Sequence, residues 1–157
     1  AWLACLAGFA WWAWARGGRA GRAAAVLAAL AAGAVTRPGP ATLPWKQLTP
    51  AALEAARSSG PGAFVDFTAD WCVSCQVNER VALDHPDGRA ALTASGLTLL
   101  KADWTRRYPA VTAALESLGR AGVPVYAVYR PGRPPRLLPT VLTPGLLVKG
   151  LQGEENP

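Results

Sequence analysis

Ala63-Phe64-Val65-Asp66-Phe67-Thr68-Ala69-Asp70-Trp71-Cys72-Val73-Ser74-Cys75 joins two local signals. Residues 63–69 are short and rich in β-formers, and they follow Ser59-Gly60-Pro61-Gly62, so they read as a strand. A Cys-x-x-Cys pair comes at once, and a helix is expected to start at or within it and to run to about Leu83. A first cysteine at a helix N-terminus meets unpaired N–H groups and the positive end of the helix dipole, which stabilise a thiolate. The second cysteine lies one turn later, so both sulfurs share a face. Such a pair closes into a disulfide and reopens by thiolate attack. Cys72 is then the attacking thiol and Cys75 the resolving one. Two other uses of the pair are open to such a motif. Half a zinc site is one, but four ligands are usual, His85 is the only histidine, and Cys5 lies far off in an apolar run. No metal is therefore expected. An inert core pair is the other, and Trp71 and the preceding strand argue against it.

Outward from the motif, Thr49-Pro50 reads as N-cap and first residue of a helix running through Leu53 to about Ser58. After the motif helix, Leu97 to Ala102 reads as a buried strand and Ala110 to Leu118 as a helix. Val123 to Tyr129 reads as a strand containing Pro124, and Leu137 to Leu142 as the last strand. Thr143-Pro144 opens a C-terminal helix to about Gln152. The order α-β-α-β-α-β-β-α, with a final hairpin around Pro131-Gly132, implies an α/β fold: a central mixed sheet covered by helices. No internal repeat is present.

Residues 1–36 are of another kind. Ala1 to Ala15 is uncharged and apolar, and four of the seven tryptophans fall in it, clustered towards its end as at a membrane interface. Fifteen residues are short for a span of roughly 20, which fits the last part of a longer helix. Arg16, Arg19 and Arg22 follow, and then Ala23 to Val35 is apolar again. The reading adopted is membrane segments over 1–36 with a basic cytoplasmic loop at 16–22, a linker over 37–45 and a folded domain over 46–157. A signal peptide over 16–36 is the alternative, although such a peptide should begin the chain. Both readings export the domain. Buried helices of a soluble protein fit less well, because neither run has a polar face. The first residue is Ala rather than Met, so a fragment or a processed chain is expected.

The net charge of +6 is misleading as a whole-chain figure. From residue 40 onward there are 12 basic and 10 acidic residues, with no basic stripe interleaved with aromatics. Nucleic-acid binding is therefore not expected. Three cysteines, of which only two are paired in sequence, are too few for a disulfide-stapled secreted scaffold.

Asp66 to Cys75 resembles the active-site segment of thioredoxins. Ala69-Asp70-Trp71-Cys72-Val73-x-Cys75, with Glu79 four residues later, resembles the C-terminal periplasmic thioredoxin-like domain of the DsbD family of membrane disulfide reductases. Gly122-Val123-Pro124 resembles the loop that carries a cis-proline facing the cysteine pair in thioredoxins. The resemblance covers roughly residues 45–152, and the apolar segments fit it, since this domain follows the last membrane helices in that family. Departures are Ser74 between the cysteines, Gln76 where a lysine is common, and an Arg-containing loop before Pro124.

The resemblance implies a thioredoxin fold and a protein-disulfide reductase at the bacterial inner membrane, with the domain in the periplasm. Cysteines of a membrane domain of the same protein would donate electrons. Periplasmic thioredoxin-like or immunoglobulin-like disulfide partners would accept them, including those of cytochrome c maturation. No cofactor is implied beyond the Cys72–Cys75 pair. Two rivals stand beside it: a separate membrane-tethered thioredoxin-like protein for cytochrome c maturation, and a non-catalytic thioredoxin-fold adaptor or chaperone.

Accessory residues follow. Asp66 sits mid-strand among Phe64, Val65, Phe67 and Thr68, which favours burial, a raised pKa and proton exchange with a nearby thiol. Glu79 lies on the helical face of the cysteines, and a solvated helix residue would have the same spacing. Acids at both positions are implied by the resemblance, and together they oppose thiolate formation at Cys72. Pro124 inside an apolar strand is explained by a cis bond at an edge beside the site, leaving the Val123 backbone to pair with a substrate segment; a strand-start proline is the alternative. Trp71 is expected to cover the disulfide, or simply to pack. Trp104, Arg106, Arg107 and Tyr108 form a loop available to partners.

Overall fold

The computed structural model describes residues 42–153. The expected membrane segments, their basic loop and most of the linker lie outside the described residues. Residues from Leu43 onward form a compact unit of their own.

The elements are β1 (Lys46–Gln47), α1 (Pro50–Ser59), β2 (Ala63–Thr68), α2 (Val73–Asn78) continued by a π turn (Glu79–Leu83), α3 (Pro86–Ala94), β3 (Thr98–Asp103), α4 (Pro109–Ser117), β4 (Val125–Tyr129), β5 (Arg136–Leu137) and α5 (Pro144–Gln152). The sheet order is β1-β3-β2-β4-β5. β1, β3 and β2 run parallel, whereas β4 is antiparallel to β2 and β5 antiparallel to β4. This is the thioredoxin fold, a mixed sheet between helices.

Local chemistry explains the boundaries. Thr49 caps α1 and Thr143 caps α5 through their side-chain oxygens, and each helix has proline in its first turn, where no N–H is needed. β2 is buried from Ala63 to Phe67 because helices cover both sheet faces. On one face Val65, Phe67, Leu100, Ala127 and Tyr129 pack with residues of α1 and α4. On the other, Phe64, Leu99, Tyr126 and Val128 pack with the π turn, α3 and α5. Burying each large side chain contributes about 1.5–3 kcal/mol, so these two layers carry the fold.

Four elements differ from the sequence reading; one is β4, which begins at Val125, so Pro124 stands directly before the strand and not inside it. α3 was not expected; its nine residues include Gly88, a poor helix former. That glycine is needed, because a Cβ there would overlap the Ala82 carbonyl, so α3 packs directly on the π turn. β1 adds a two-residue edge strand beside β3. The last strand is only Arg136–Leu137, not a run to Leu142. Beyond it Leu138 gives its N–H to the Tyr126 carbonyl, Pro139 has none to give, and residues 139–142 leave the ladder.

Candidate active site

β2 delivers the chain to the N-terminus of α2, where Cys72 is the N-cap residue. Its Sγ accepts the Cys75 N–H at 3.2 Å, so one orphan donor of the helix is aimed at the sulfur. Cys72 and Cys75 are joined as a disulfide with Cα atoms 5.3 Å apart. Both are buried, Cys72 at 5% exposure, in a small apolar cluster with Ala69 and the half-buried Val123. The Val123–Pro124 peptide is cis and precedes β4 directly. Ser74 Oγ lies 3.5 Å from Cys72 Sγ.

The segment before the cysteines is braced by the loop after β3. Asp70 N–H donates to Thr105 Oγ1 at 2.9 Å, and Trp71 Nε1 donates to the Thr105 carbonyl at 3.3 Å. Trp71 is 52% exposed, with its ring tilted against Trp104 at 6.0 Å. Trp104 is held in turn by Thr112 Oγ1 at 2.8 Å, and the Arg107 guanidinium lies over its ring at 5.1 Å. Gln76 Nε2 reaches back to the Asp70 carbonyl at 2.7 Å. Trp104 and Arg107 thus belong to this brace, and Arg106, Arg107 and Tyr108 are all exposed.

Beneath the helix lies a charged cluster. Asp66 is 2% exposed, and its Oδ1 accepts no hydrogen bond. Its register partners are Lys101 on β3 and Tyr126 on β4. Glu79, first residue of the π turn, takes the Lys101 ammonium at 2.5 Å. Burial pushes Asp66 up to about 7; Lys101 pulls it down and Glu79 adds to the rise. Burial opposes the Lys101 ammonium, but the Glu79 hydrogen bond and charge outweigh it, so its pKa stands above the ordinary value. Burial also pushes the Tyr126 phenol up, with Asp66 adding to it.

Asp66 and Glu79 are thus brought together by Lys101, and Cys72, Cys75 and Val123 form a second group. Sequence reasoning missed Lys101. A lone lysine inside the apolar run Leu97 to Ala102 is the same kind of signal as Asp66 inside β2. Among the described residues no group of His, Cys, Asp and Glu could hold a metal ion. No helix among them is long and apolar enough to cross a membrane.

Residues 44–131 match the thioredoxin-like family. The thiol:disulfide interchange protein DsbD 1 of Pseudomonas aeruginosa is 39% identical over 101 residues, covering 60% of this chain and 17% of that protein. DsbD of Klebsiella pneumoniae is 36% identical over 74 residues, covering 47% of this chain and 12% of that protein. The chain therefore spans less than a fifth of the length of these relatives. Among solved structures, the oxidised C-terminal domain of Neisseria meningitidis DsbD superposes with a TM-score of 0.58 at 24% identity, covering 67% of this chain and 91% of that one. A thioredoxin from Thermus thermophilus gives 0.57 at 19% identity, covering 71% and 86%. With its fold, its strand–helix Cys-x-x-Cys and a family match over more than half its length, the chain belongs to the thioredoxin-like family.

Proposed function

We propose that this domain is a thiol–disulfide oxidoreductase that reduces protein disulfides through Cys72 and Cys75. The observation that carries the proposal is a disulfide at the N-terminus of α2, packed against Val123 of the cis Val123–Pro124 peptide, with a buried carboxyl whose Oδ1 has no hydrogen bond on the strand that feeds it. In the reduced state the Cys72 thiolate attacks a partner disulfide. One partner sulfur leaves as a thiolate and takes a proton, and a mixed disulfide forms. The Cys75 thiol then gives its proton to the Asp66 carboxylate and attacks Cys72 Sγ. The second partner thiolate leaves, two electrons have passed to the partner, and Cys72–Cys75 closes. A carboxyl near pH 7 suits this exchange, since it both takes and returns a proton. Glu79 and Lys101 hold Asp66 in that range. Trp71, Val123 and Pro124 flank the sulfurs where a partner segment would lie.

The likeness to DsbD proteins and the apolar character of residues 1–36 support a wider reading. Membrane-domain cysteines of the same inner-membrane protein would re-reduce the pair. Periplasmic thioredoxin-like or immunoglobulin-like proteins would receive the electrons. The test uses residues 43–157, whose two core layers are closed within the unit. Thiol trapping in buffers of defined potential should give a reversible two-electron couple, on the order of −270 to −200 mV. A couple near the strongly oxidising value of about −120 mV would make the domain a disulfide donor and reverse the proposed electron flow.

A further inference from the structure

Asn78 is the last residue of α2, one turn beyond Cys75, and it is 3% exposed. Its amide ties three parts of the molecule together. Nδ2 donates to Tyr126 Oη at 3.1 Å, on the strand that follows Pro124. Nδ2 also donates to the Thr140 carbonyl at 2.7 Å, and Oδ1 accepts the Leu142 N–H at 3.2 Å. The Leu142 N–H requires an oxygen there, and the Thr140 carbonyl requires a donor, so the amide orientation is fixed by its partners.

The segment it holds is the one that left the sheet after β5. Leu138, Pro139 and Thr140 form one side of an open groove of about 310 Å³, and Val123 and Pro124 line the same groove. Val123 in turn packs on Cys72 and Cys75. Val123 therefore joins the groove to the disulfide, and one side of the groove is a segment outside the sheet ladder. Two of that segment's backbone groups, at Thr140 and Leu142, find their partner in a side chain of the active-site helix.

We infer that Asn78 is a positioning residue for partner recognition: it locks the 138–142 wall of the groove to the helix that carries the cysteines. This deepens the proposed reductase reading and rests on it. The partner segment that fits is an extended stretch of protein bearing the disulfide, because the groove lies between two stretches of chain, 120–125 and 137–140, and Val123 joins it to the cysteines. A small disulfide that reaches only the sulfurs does not need the wall. Asn78 touches none of the reacting atoms, so its loss acts on docking and leaves the thiol chemistry in place.

The test compares wild type with Asn78→Ala and with Asn78→Ser, which keeps one short hydroxyl. Pre-reduced protein is mixed in single turnovers with insulin, as a protein disulfide, and with oxidised glutathione, as a small one. The inference expects at least a tenfold rise in the half-saturating insulin concentration. It also expects an unchanged glutathione rate, an unchanged Cys72–Cys75 potential and faster amide exchange at Leu142. Equal losses on both substrates, or an unchanged half-saturating insulin concentration in a folded variant, would overturn it. If neither variant folds, Asn78 is a framework residue and the inference is wrong. If wild type reduces neither substrate, the reductase reading itself fails.

Discussion

Asp66 and Lys101 are direct register partners across the β2–β3 ladder, yet the lysine gives its ammonium to Glu79 and leaves Asp66 Oδ1 without a hydrogen bond. A carboxyl buried this way is cheaper protonated than charged, which is why burial dominates its pKa. The Glu79–Lys101 pair is half-exposed and adds little stability itself. Its consequence is electrostatic, because it decides how much positive charge Asp66 feels.

Stability should therefore depend on pH through Asp66. The folded carboxyl binds its proton up to about pH 7, whereas the unfolded one releases it near 3.8. The native state holds more protons in that window, so oxidised-domain stability falls as pH rises from about 4 to 7 and levels above. Asp66→Asn removes the titration. It should stabilise the oxidised domain at pH 8 by up to about 4 kcal/mol relative to its effect at pH 3. Urea unfolding at both pH values checks this, and parallel profiles for the two proteins would contradict it.

Lys101 and Glu79 should move Asp66 in opposite directions. Lys101→Met removes the charge that lowers it, so its titration midpoint should rise above about 7. Glu79→Gln removes a charge that raises it and releases the ammonium towards Asp66, so the midpoint should fall. Carbon NMR of the Asp66 carboxyl across pH 5 to 9 (about two decades either side of the midpoint) reads both shifts. Movement in the same direction for both variants would show that the pair does not act through charge.

The two cysteines should divide the reaction. Cys75→Ser should accumulate a mixed disulfide between Cys72 and a protein disulfide partner, because nothing resolves it. Cys72→Ser should form none. Non-reducing gels after mixing with insulin separate the outcomes, and a stable adduct through Cys75 alone would invert the assigned roles.

Gly88→Ala should damage the seat of the active-site helix. The new Cβ would overlap the Ala82 carbonyl, which is backbone and cannot swing aside. A loss of about 1–3 kcal/mol is expected by thermal or denaturant unfolding, typical of overpacking. An unchanged midpoint would mean that α3 shifts freely on the π turn.

Much of the fold was readable because its signals are local. Thr49-Pro50 and Thr143-Pro144 announce helix starts by side-chain capping and by a residue without an N–H. The β-forming run around Asp66 and the cysteine spacing announce a strand feeding a helix. α3 was hidden by Gly88, whose reason is a contact with Ala82 that no local pattern records. The run to Leu142 reads as strand because its leucines are apolar, whereas the ladder ends with the Leu138 N–H bond to Tyr126 and the Leu142 N–H goes to the Asn78 side chain.

The capped starts of α1 and α5 and the place of the Cys-x-x-Cys at a strand–helix junction follow from the sequence, since each depends on neighbours within a few residues. Which groups surround Asp66 was decided by tertiary structure alone. Lys101 reaches it through parallel pairing of strands 35 residues apart in the chain, and Glu79 reaches Lys101 through the π turn. Asn78 likewise meets Tyr126 and Thr140 across 48 and 62 residues of chain. Charge and hydrogen bonding act over ångströms in space, so the electrostatic setting of the site exists only once the sheet and helices have met.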